Sequence, residues 1–148
     1  MKITYTKVSP KVAKQNRDFY KNHVRRAFVM FCAYEHLFDD CFTKEEIEQA
    51  KRGILPDDCN VHHRIPLSGL DDPSVHDFEN LTVIHVKTHE RINRDIFAPQ
   101  LRTILNQPTG TTIEIDVPEF DYVDVEGIKK ERTLQKIYLY KGKKYYGQ

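Results

Sequence analysis

VHHRIPLSGLDDPSVHDFENLTVIHVKTHERIN, residues 61–93, changes its periodicity within one stretch. Residues 59–67, CNVHHRIPL, read as a strand that Pro66 ends, because proline has no N–H to give to a ladder. Gly69 with Asp71-Asp72-Pro73 marks a loop, and Leu81-Thr82-Val83-Ile84 reads as the partner strand. Residues 86–97 then take helical spacing through Ile92 and Ile96, until Pro99 ends or bends the helix. The expected order is strand, loop, strand, helix.

The polar residues of this stretch fall at telling places. His89 and Asn93 are four apart, so on a helix they stack on one face within reach of one ion. Neighbours His62 and His63 point to opposite faces of a strand unless it bends, leaving one free to ligate and the other to act as a base. A hydrolytic reaction needs an activated water, charge stabilisation and help for the leaving oxygen, and one metal with one imidazole supplies all three. Imidazole titrates near neutral pH, so whichever ring of the pair stays neutral and free is a usable base. His23, His36, His76 and His85 are read as surface or satisfied core histidines with no role.

The same stretch resembles the HNH endonuclease motif. The likeness lies in His-His, a proline-containing loop with glycine, Glu-Asn-Leu, and a histidine nine residues after the asparagine, here Asn80 to His89. The resemblance covers about a quarter of the chain and implies a ββα-metal fold. It implies that His62 binds a divalent metal, that His63 is the general base, and that Asn80 braces the loop between the strands. His89 would be a second metal ligand and Asn93 would complete the set. The cofactor implied is one divalent ion, Mg, Mn, Ni or Zn. Many HNH enzymes carry two C-x-x-C pairs that pin the motif with structural zinc. Cys32, Cys41 and Cys59 make no such pair, so packing by the flanking segments must support the site.

Upstream, Ser9-Pro10 reads as an N-cap and first helical residue. Val24, Ala27, Phe28, Phe31 and Phe38 give one apolar face to a helix expected over residues 10–38. Lys14, Arg17, Lys21 and Arg25 fall on another face, either a phosphate-tracking stripe or a solvated one. Residues 1–30 carry eight Lys or Arg against Asp18 alone, which gives the chain a basic end. Arg64 is a candidate clamp for a phosphate oxygen, or a surface strand residue. Thr43 and Glu46 form the pattern of a capping box, and Gly53 stops the short helix expected over residues 44–52.

Downstream, period-two runs in Thr112 to Val117 and Gln135 to Tyr140 predict a small antiparallel sheet. Residues 113–126 hold six acids and no Lys or Arg. That segment is read as a solvated hairpin, as a flap over the basic surface, or as a dock for a basic protein partner.

The 148 residues fit one α+β domain: a helical buttress with a basic face (1–55), the central ββα-metal motif (56–98) and a β-rich tail (108–148). Hydrophobic content of 39% with 30% charge is globular, the net charge is +1, and no apolar run approaches a membrane span. With no signal peptide visible, the expected compartment is cytoplasmic and membranes are not a partner. The function expected is a metal-dependent DNA endonuclease of phage, mobile-element, defence or toxin origin. RNA is the alternative polynucleotide, and a homodimer would suit an enzyme that breaks both strands. The competing class is an inactive nucleic-acid- or protein-binding module on the same scaffold.

Overall fold

The computed structural model describes residues 1–146. Strand β1 (Lys2–Thr6) leads to helix α1 (Pro10–Phe19), a π-helical turn (Tyr20–Val24) and helix α2 (Arg25–Tyr34). Helix α3 (Lys44–Ala50) precedes strand β2 (Cys59–His63). Two 3-10 turns, Pro73–His76 and Phe78–Asn80, lead into strand β3 (Leu81–His85) and helix α4 (Val86–Ile92). A second π turn (Asn93–Phe97), helix α5 (Ala98–Leu101) and a 3-10 turn (Arg102–Ile104) follow. Strand β4 (Thr112–Asp116) and helix α6 (Val125–Tyr146) complete an α+β fold. Among the described residues no helix is long and apolar enough to cross a membrane.

Local chemistry sets the helix ends. Ser9 Oγ accepts from the Val12 N–H at 3.1 Å, with Pro10 opening α1. The first helical stretch stops at Tyr34 rather than at residue 38. His36 takes φ 60°, and the N–H groups of His36 and Leu37 close back on the carbonyls of Ala33 and Cys32. This is a Schellman closure, made by a residue other than glycine, so no glycine announced it. At α3, Thr43 and Glu46 satisfy each other's backbone N–H groups at 2.9 and 3.2 Å.

Strands β2 and β3 pair antiparallel, with His62 opposite Thr82 and His63 opposite Leu81. Every residue of β3 is buried because both its faces are covered. Leu81 and Val83 join a core with Phe28, Val29 and Cys32 of α2 and Ile128 of α6. Ile84, on the other face, joins Tyr5 of β1, Ile92 of α4, Phe97 and Ile115 of β4. The β2–β3–α4 unit is therefore wedged between two apolar clusters.

The C-terminal sheet does not form. β4 pairs with β1 at the opposite end of the chain, Ile3 facing Ile115. Residues 125–146 are helical, with Asp124 Oδ1 accepting from the Gly127 N–H at 3.4 Å near the start of α6. Ile128, Glu131 and Arg132 supply the packed face at helical spacing. Gln135, Lys136 and Ile137 are exposed, so the alternation that begins there meets no sheet and carries no packing information. Arg132 donates to both Glu46 and Asp58 at 2.8 to 3.0 Å, tying α6 to α3 and to the entry of β2.

The acidic segment is not a hairpin either. Its first part is β4, and its second is pinned to β3 by Val83 N–H to the Tyr122 carbonyl and Asp124 N–H to the Val83 carbonyl, each 2.9 Å. Being hydrogen-bonded to the core on both sides, it is a fixed part of the fold rather than a flap over the basic helix.

Candidate metal centre and cleft

Strand alternation places Asn60 and His62 of β2 on one face, and α4 lays His89 across both. The rings of His62 and His89 meet edge to face with centroids 5.6 Å apart. His89 Nδ1 lies 3.2 Å from the Asn60 carboxamide. His63 is the last residue of β2, where the chain bends, and its ring meets Tyr20 edge to face at 4.5 Å. Tyr20 opens the π turn; such a turn inserts an extra residue and re-aims the helix face that follows.

His62, His63, His89 and Asn93 line a single cleft of about 300 Å³. Arg17 from α1, Ser68 from the loop and Phe97 from the second π turn share its wall. Asn80 stands behind this wall, 8% exposed. Its Oδ1 accepts from the Ile65 N–H at 2.7 Å, and its Nδ2 donates to the carbonyls of Ile65 and Val75 at 3.0 and 2.9 Å. All its close partners are backbone, so it holds the loop that leaves the His-His pair.

The electrostatics favour neutral imidazoles. Burial pushes His62 down to about 3, with the neighbouring His89, His63 and Arg64 adding to the shift. Burial likewise pushes His63 down to about 4, helped by His76 and His89, and it lowers His89. A neutral ring keeps a lone pair for an ion or a proton. The Nε2 atoms of His62 and His63 are both buried and make no hydrogen bond among the described residues. Such orphaned atoms call for a partner from outside the chain.

The residues present could hold a divalent ion at His62 and His89. Two imidazoles on one tetrahedral ion, each nitrogen about 2 Å from it, have centroids roughly 5 Å apart. The His62–His89 spacing of 5.6 Å is close to that. Among the described residues, no three His, Cys, Asp or Glu side chains converge as a ligand set. The protein donors on offer are two imidazoles and the Asn93 carboxamide, which leaves coordination positions for water or substrate.

Other residues singled out in the sequence lie elsewhere. Arg64 points away from the cleft, donating to the Phe120 carbonyl at 3.1 Å and lining a separate cavity of about 480 Å³ with Glu79 and Tyr122. Of the basic stripe, Arg17 alone lines the cleft. Lys14 is paired with Asp18 at 2.7 Å, Lys21 is exposed in the π turn, and Arg25 is half-buried at the start of α2. The extra residue of the π turn breaks the three-and-four spacing that drew these four side chains onto one face. His85 is fully buried and accepts from the Lys87 N–H at 3.1 Å, so it caps the helix that carries His89.

Asn60 and Tyr20 went unnoticed in the sequence. Asn60 had a usable signal, since it precedes His62 by two on the same strand and must share its face. Tyr20 had none, because a π turn has no sequence signature here.

Over 92 residues the chain is 28% identical to the uncharacterized protein YhhZ of Escherichia coli (strain K12). That stretch is 62% of this chain and 23% of the relative's length. No family model matches the chain, and no solved structure matches it.

Proposed function

We propose that this chain is a metal-dependent endonuclease of the HNH type that hydrolyses phosphodiester bonds of DNA. The observation that carries the reading is the convergence of His62, His63, His89, Asn93 and Arg17 on one cleft, with two buried imidazole nitrogens that have no hydrogen-bond partner among the described residues. His62 and His89 would hold the divalent ion with Asn93. When bound, that ion would supply charge stabilisation for the phosphate and help for the leaving oxygen.

The chain's own residues do the rest. His63, neutral and without a partner at Nε2 among the described residues, accepts the proton of the attacking water. A phosphate entering the cleft counters the effect of burial and raises this ring's basicity toward the working range. Arg17 binds a non-bridging phosphate oxygen, since no ion pair within the described residues engages it and a guanidinium matches that geometry. Asn80 keeps the His-His pair in register with the ion through the loop it clamps.

Nicking of supercoiled plasmid with Mg²⁺, Mn²⁺, Ni²⁺ or Zn²⁺ tests the reading. Wild type should nick with at least one ion, and His63→Ala should lose at least about 100-fold in rate while still binding DNA. Binding without cleavage by wild type would point to an inactive binding module. Cleavage that survives His63→Ala would remove His63 as the base.

A further inference from the structure

We propose that Asn60 is a positioning residue of the metal centre, setting which ring nitrogen of His89 is free to bind the ion. The inference rests on the metal-site reading above. Asparagine is disfavoured inside strands, yet Asn60 occupies an interior position of β2, its backbone opposite Ile84. Its side chain meets His89 Nδ1 at 3.2 Å, and that is its hydrogen-bond partner among the described residues.

A neutral imidazole has one N–H and one lone pair, so the group facing Nδ1 dictates the state of Nε2. With the carboxamide NH₂ toward the ring, Nδ1 accepts, Nε2 carries the proton, and His89 offers the ion nothing at Nε2. With the carboxamide turned over, Nδ1–H donates to Oδ1 and the Nε2 lone pair is bare. The two edges of the amide are nearly equal in shape, so the exchange needs only a rotation of the side-chain amide. Binding of the ion selects the second arrangement, and Asn60 then fixes the ring's tautomer and its plane. The geometry has a structural cause: His62 and Asn60 are two apart on one strand, so one residue presents the ligand ring and the other steadies its partner across α4.

Calorimetric titration of Zn²⁺ into wild type, Asn60→Leu, Asn60→Asp and His62→Ala tests this, with circular dichroism to verify folding. Asn60→Leu, similar in size but without an acceptor, should bind roughly 10- to 100-fold more weakly. Asn60→Asp keeps an acceptor and should bind at least as tightly as wild type. In zinc-loaded wild type, ¹⁵N–¹H correlation of the His89 ring should place the proton on Nδ1, a readout that needs no variant to fold. Equal affinity of Asn60→Leu and wild type, or a proton on Nε2 of His89, would overturn the role of Asn60 while His62→Ala still abolishes binding. Failure of wild type itself to bind zinc, nickel or manganese would overturn the metal centre and this inference together.

Discussion

Asn80 pairs with Ile65 as a strand residue would, its Oδ1 accepting from the Ile65 N–H at 2.7 Å and its Nδ2 donating to the Ile65 carbonyl at 3.0 Å. The backbone ladder runs one step past His63, Arg64 N–H donating to the Asn80 carbonyl at 2.9 Å, and the Asn80 side chain carries the pairing on to Ile65 before Pro66, which has no N–H to give. A third bond to the Val75 carbonyl closes the loop.

Replacing this clamp should be costly. Asn80→Ala leaves an N–H and two carbonyls without partners in a site that admits little water, at about 3 kcal/mol. For a domain of this size that lowers Tm by roughly 6 to 12 °C. Thermal unfolding followed by circular dichroism measures it, and a change under about 2 °C would show that the loop holds without Asn80.

The His62–His89 pair should act as a unit toward a cation. Addition of Ni²⁺ at about 100 times its Kd should stabilise wild type by roughly 2.7 kcal/mol. The rise in Tm should vanish in His62→Ala and equally in His89→Ala. If either variant keeps the full rise, the two rings do not share an ion.

Two arginines separate by position. Arg17→Ala removes the cleft's guanidinium and should slow cleavage about 10- to 100-fold at saturating DNA, an effect of roughly 1.4 to 2.7 kcal/mol on the barrier. Arg64→Ala should leave the cleavage rate unchanged, because that side chain is spent on the Phe120 carbonyl. Single-turnover kinetics distinguishes them, and a larger loss for Arg64→Ala would place the phosphate at the cavity that Arg64 lines with Glu79 and Tyr122.

Acid should destabilise the metal-free protein well before its carboxylates titrate. Burial holds His62 at about 3 and His63 at about 4 in the fold, against 6.5 for the ordinary imidazole. Between these values the unfolded chain binds more protons than the native one, so stability rises with pH and is lost as pH falls below 6.5. At pH 5 each ring costs about 2 kcal/mol relative to pH 7.5. Urea unfolding at the two pH values reads the difference, and a flat profile would mean that these rings are not held neutral by the fold.

Much of the central motif was legible because its signals are local. A strand through the His-His pair, which the fold ends at His63 rather than at Pro66, an imidazole and a carboxamide one helical turn apart at His89 and Asn93, and a capping box at Thr43 and Glu46 each depend on residues a few positions apart. The β1–β4 pairing was not legible, since five residues at each end find each other only once the core between them has formed. The alternation of Gln135 to Tyr140 misled for a related reason. Period two signals a strand only where a sheet exists to bury one face.

What the sequence by itself determined is the inventory and its local order: two adjacent imidazoles on a strand, an asparagine before the second strand, and an imidazole and a carboxamide one helical turn apart. Only the tertiary structure decided which of them meet. It brought Arg17 and excluded Arg64, set Asn60 against His89, and turned the tail into a helix locked by Arg132. Spacing along the chain constrains neighbours within a few residues, whereas these choices depend on which faces two separate apolar clusters bury, and that is a property of the whole chain.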